Sequence, residues 1–211
     1  MLFLKKIILN EKIVGNYFFS GGFIWNMVVF FEERCTCHHP KQEAIKIYRH
    51  SNEFNKRISD AINNYLNMKN AFVDGDTVAI KTRTARFISS TDSLNLNELL
   101  QKDSSLYMAA MQNISDIRAN AEPILKENDL TEMRHDFSMV SENLYPLLKT
   151  IGYEGQKLYW QNCPMAFGDD KPANWLSNTS EILNPYLGKN HPEYKSAMLH
   201  CGENMDSIYL K

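Results

Sequence analysis

Two short motifs near the C-terminal end carry the residues best equipped for chemistry. Cys163-Pro164-Met165 and Met198-Leu199-His200-Cys201-Gly202 put two thiols, two thioethers and an imidazole at the two ends of one segment. Sulfur donors with imidazole are the set a soft ion such as Cu(I) selects. Cys163, Met165 and Cys201 are the expected core of such a shell, with Met198 or His200 completing it. Thiolates carry charge to the ion, and thioethers need no deprotonation, so they still bind in acid. Pro164 stiffens the turn that presents Cys163 and Met165.

Other readings compete for these residues. Cys163 and Cys201 can join as a structural disulfide, which suits an exported protein. They can also be inert buried thiols, and Met165 and Met198 alone read as core filler. A nucleophilic Cys163 with His200 or His191 as base lacks a third group to orient it. No enzyme is therefore expected. A second cluster, Cys35-Thr36-Cys37-His38-His39, packs four candidate ligands into five residues. It is the weaker metal candidate, because one short cluster seldom closes a shell, and its alternative is a linker. It lacks the Cys-x-x-Cys-His spacing of covalent haem attachment.

The elements that must position these groups are helical. In the first helix Ile58, Ile62, Tyr65, Met68 and Phe72 recur at three- and four-residue steps on one face. Asp74-Gly75-Asp76 stops it, and Asp76 can cap a shorter second helix, about Thr77 to Ile88. A third carries Leu106, Ala110, Ile114, Ile117, Ala121 and Ile124. A fourth opens at Asp129, with Glu132 at capping-box spacing, and runs through Met133, Phe137, Val140, Leu144 and Leu147 to Gly152. Pro146 inside it predicts a kink or a carbonyl without its partner. Beyond Gly152 the periodicity fades, but Tyr159, Trp160, Phe167, Trp175 and Tyr186 offer too much apolar area for disorder. The expected fold is all-α: an up-and-down bundle of about four helices, with an ordered, irregular C-terminal tail wrapped over it. Residues 41–152 and 153–211 then form one domain, behind an export segment and linker at 1–40.

That leading segment decides the compartment. Ile13 to Phe31 is a nineteen-residue run without a charge, with Lys5, Lys6 and Lys12 before it and Glu32 and Glu33 after it. A membrane helix needs roughly 20 apolar residues, and the lysine flank stays cytoplasmic. A signal-anchor with the body exported, periplasmic or elsewhere in the cell envelope, follows; a buried hairpin broken at Ser20-Gly21-Gly22 is the alternative. A net charge of −2 gives no electrostatic footprint for nucleic acid.

The tail motifs together resemble the bacterial family of domain of unknown function 3347. They stand here as Cys163-Pro164-Met165-Ala166, Trp175-Leu176-Ser177, Ile182-Leu183-Asn184-Pro185-Tyr186-Leu187-Gly188 and Met198-Leu199-His200-Cys201-Gly202. In the helical part, Tyr65-Leu66-Asn67-Met68-Lys69-Asn70-Ala71-Phe72, Met133-Arg134-His135-Asp136-Phe137 and Ser141-Glu142-Asn143-Leu144 are similar to family patterns. His200 falls on a position that varies in the pattern. The resemblance implies a heavy-metal-binding, copper-handling domain of the cell envelope, one that also extends CusB-like efflux adaptors. The expected cargo is copper as Cu(I) or another soft ion, buffered or handed to an efflux system through an efflux adaptor protein as partner. The alternative is a non-catalytic interaction module for such an adaptor, stapled by a Cys163–Cys201 disulfide.

Overall fold

The computed structural model describes residues 49–209. The uncharged run at 13–31 and the candidates Cys35, Cys37, His38 and His39 lie outside the described residues. Helices α1 (Asn52–Asp74), α2 (Thr77–Asp92), α3 (Asn97–Lys102), α4 (Ser104–Ile124) and α5 (Leu130–Ile151) precede strands β1 (Leu158–Cys163), β2 (Ala173–Ser177) and β3 (Glu203–Ile208).

Four of the helix starts are set by side chains that accept from backbone N–H groups of the first turn, donors with no partner inside the helix. Ser51 caps α1, Asp76 α2, Asp103 α4 and Asp129 α5. Both α1 and α5 end on a glycine in the left-handed region, Gly75 at φ 71° and Gly152 at φ 66°. The capping box expected at Asp129 and Glu132 forms only by half. Asp129 caps Thr131 and Glu132, but the returning bond comes from Glu127, which accepts from the N–H groups of Asn128 at 2.6 Å and Asp129 at 2.8 Å. α5 continues through Pro146 to Ile151, and the missing proline N–H leaves the Glu142 carbonyl without its in-helix donor.

The apolar stripes read from the sequence are buried: Ile58, Ile62, Tyr65, Met68 and Phe72 on α1, and Met133, Phe137, Val140, Leu144 and Leu147 on α5. α4 packs on α5, α1 on α2, α2 on α4, and β2 against α5. The rings of Tyr65, Phe72 and Tyr186 surround Phe137 at centroid separations of 4.5 to 5.9 Å, joining bundle and tail in one core.

The protein is mostly helical but not all-α, which corrects the expected fold class. The tail holds a three-stranded antiparallel sheet in the order β2-β1-β3. Alternation, the usual strand signal, fails here because β1 is covered on both faces, burying Leu158, Trp160, Gln161 and Cys163, while β3 is mostly exposed. The bundle holds the sheet by polar bonds as well as by packing. The buried Tyr65 hydroxyl accepts from the Leu176 N–H at 3.1 Å and meets Ser141 Oγ at 2.7 Å. The Lys189 N–H donates to the Val73 carbonyl at the end of α1, and Arg134 Nε to the Pro185 carbonyl. Among the described residues, no helix is long and apolar enough to cross a membrane.

Candidate functional site

Cys163 is the last residue of β1, paired across the sheet with Ala173 and fully buried. Cys201 is half-buried in a turn whose N–H donates to the Met198 carbonyl at 3.0 Å. Although 38 positions separate them, the fold brings their sulfurs to 3.4 Å, and both are free thiols. Burial, and then the contact with Cys163, pushes the Cys201 thiol up to about 11. Both effects disfavour a thiolate: low polarity penalises the charge, and the neighbouring sulfur holds the proton.

The approach of the two segments is close enough to require a glycine. Gly202 has φ +142°, and a Cβ there would sit 2.5 Å from the Asn162 carbonyl of β1 and 3.1 Å from the Trp175 ring. Trp175 packs edge-on against Tyr186, with centroids 5.8 Å apart, and both are fully buried. The thiols therefore stand at the edge of an aromatic core. Burial first, with Cys163 among the lesser causes, raises the Tyr186 hydroxyl well above its ordinary value, so it stays neutral and donates to the Asn174 carbonyl.

The other candidates surround this pair in the chain. Met165 lies on the turn after β1 and is partly exposed, and Met198 packs against the core from the turn before Cys201. His200 is exposed, and its Nδ1 meets the Ile182 carbonyl at 2.8 Å. A carbonyl only accepts, so Nδ1 carries the proton and a neutral ring keeps its lone pair on Nε2, the arrangement that prepares a histidine to bind an ion. The direct contact within the set is the thiol pair. Among the described residues, no group of three or more His, Cys, Asp or Glu side chains clusters as a metal site.

Geometry bounds what the pair can hold. With metal–thiolate bonds of about 2.3 Å, a tetrahedral angle needs sulfurs about 3.8 Å apart and a linear one about 4.6 Å. The observed 3.4 Å is a few tenths short of the first and more than an ångström short of the second. To share one ion the two sulfurs would have to open slightly, and the short separation favours a bent arrangement over a linear one. Closing the pair to a disulfide needs an approach to about 2.05 Å.

One residue that the sequence reading passed over is built into the site. Asn184, fully buried, donates from Nδ2 to the Cys201 carbonyl at 2.8 Å. In the sequence, Asn184-Pro185 has the look of an ordinary turn, and nothing local signals a bond to residue 201.

Among known families, the model for one described as protein of unknown function (DUF3347) matches residues 61–156, from α1 to just short of β1. The thiol pair lies beyond that stretch. No curated protein and no solved structure matches.

Proposed function

For this chain, a member of the DUF3347 family through residues 61–156, we propose that the tail binds Cu(I) as cargo on Cys163 and Cys201 and holds or transfers it in the cell envelope. The observation that carries this reading is the pair of free thiols at 3.4 Å, flanked in the chain by two methionines and a histidine. Two thiolates supply charge and tight bonds, and Met165, Met198 or His200 supplies the further donor that a bent shell needs. The envelope location rests on the uncharged run at 13–31 and its lysine flank, and an efflux adaptor is the proposed recipient. The role is binding, not catalysis.

The test is an anaerobic titration of reduced protein with Cu(I) against a competing chelator, repeated on Cys163→Ser and Cys201→Ser. Loss of either thiolate should weaken binding by about tenfold or more. Equal affinity in all three proteins would rule the tail site out.

The same short contact favours a second reading, in which the pair closes to a structural disulfide and the domain is an interaction module for an efflux adaptor. A thiol count on freshly isolated, non-reduced protein separates the two. Fully oxidised cysteines that bind no Cu(I) after reduction select the disulfide, and adaptor capture that survives both substitutions selects the interaction module.

A further inference from the structure

We propose that Asn184 is the positioning residue of the thiol pair, an inference that rests on reading that pair as the functional site. Its side chain works in two directions. Oδ1 accepts from the N–H groups of Tyr186 at 2.8 Å and Leu187 at 3.0 Å, folding residues 184–187 into a side-chain-closed turn. Nδ2 donates to the carbonyl of Cys201 at 2.8 Å, and the Asn184 backbone N–H donates to the carbonyl of Leu199 at 2.9 Å. Asn184 thus grips the turn on both sides of His200.

From the other side, Gly202 presses that turn against the Asn162 carbonyl, one residue before Cys163. Cys201 is held between these two contacts, and its remaining backbone bond, to Met198, stays inside its own turn. The place of its sulfur relative to Cys163 is therefore set by Asn184 and Gly202. Disulfide closure tolerates little error in sulfur position, and chelation of one ion by two thiolates tolerates only slightly more. The amide offers an acceptor for the 184–187 turn and a donor for residue 201 at once, which an ionised carboxylate of the same size does not.

The discriminating variant is Asn184→Asp, which keeps the acceptor for Tyr186 and Leu187 and replaces the donor facing the Cys201 carbonyl with an oxygen. The readout is thiol–disulfide exchange of metal-free protein with oxidised glutathione. Two protein thiols give up two protons and two electrons, form one S–S bond, and leave two molecules of reduced glutathione. In Asn184→Asp the equilibrium constant for the protein disulfide should fall by about tenfold or more. Val140→Ala, which loosens the bundle core at a buried site on α5, should melt earlier with the constant unmoved.

A folded Asn184→Asp protein whose constant stays within about twofold of wild type overturns the proposal. Should that variant not fold, NMR exchange of the wild-type Asn184 side-chain amide decides. Slow exchange supports the bond to Cys201, and exchange at the rate of a free amide overturns it. Because no metal is added, a wild-type protein that fails to bind Cu(I) removes the proposed cargo and leaves this result standing.

Discussion

At the scale of the residue, the proton on Cys201 controls what the site can do. A thiol must lose its proton to become a metal ligand, so binding is linked to pH. Half-burial and the neighbouring Cys163 hold that proton up to about 11, so the thiol stays protonated through neutral pH. If Cu(I) displaces it, apparent affinity should rise by about tenfold per pH unit between roughly pH 6 and 9 from this thiol alone. A chelator competition repeated at several pH values measures the slope, and Cys201→Ser should flatten it. A wild-type slope of zero would mean that Cys201 is no ligand. The soft ligands were legible in the sequence because Cys, Met and His announce their chemistry by type. Asn184 was not, because its role depends on a hydrogen bond to a residue 17 positions away, and an asparagine before a proline already has a local explanation as a turn.

At the scale of the element, the sheet is held on the bundle by a few polar contacts that can be cut singly. Tyr65→Phe removes the hydroxyl that accepts from the Leu176 N–H, leaving a buried donor unpaired inside β2. The expected cost is about 1–3 kcal/mol, read as a lower urea midpoint. Gly188→Ala acts on the other side of the tail. At φ +60° a Cβ would meet the Val73 carbonyl at 2.8 Å and Arg134 Nη2 at 3.1 Å. Left-handed backbone costs a non-glycine residue about 1–2 kcal/mol before any collision, so destabilisation of about 2 kcal/mol or more is expected. An unchanged urea midpoint in either variant would show that its contact does not hold the tail. The longer helices could be read in advance because a cap, a stripe or a terminating glycine marked each of them, and all three agreed at α5. α3 could not, having only six residues, and neither could the strands. β1 is covered on both faces by a bundle and loops that no local pattern encodes, and β3 is too exposed to show an apolar face.

At the scale of the whole molecule, the stretch entering α1 is tied to segments distant in the chain, and one carboxylate holds two of its residues. Glu98 on α3 accepts from the Ser51 N–H at 3.1 Å and from Lys102 Nζ at 3.0 Å, and meets His50 Nδ1 at 3.1 Å. The other ring nitrogen of His50 meets the Ile151 carbonyl at the end of α5 at 2.5 Å, and its ring stacks on Phe54. Glu154 adds a further tie, accepting from the His50 N–H and from Asn55. Burial alone would raise the Glu98 carboxyl, but the bonds from Ser51, Lys102 and His50 outweigh it and hold the group down at about 2. A carboxyl held below its unfolded value of about 4.5 adds stability above that pH and loses it as the pH falls toward about 2. Wild-type protein should therefore lose stability progressively across that window. Glu98→Gln keeps the size and one acceptor oxygen but cannot ionise, so it should be less stable at neutral pH and flatter in acid. Urea midpoints measured from pH 7 to pH 2 should converge as the wild-type carboxyl gains its proton. Curves that stay parallel over the whole range would show that the ties at the start of α1 do not depend on the charge of Glu98.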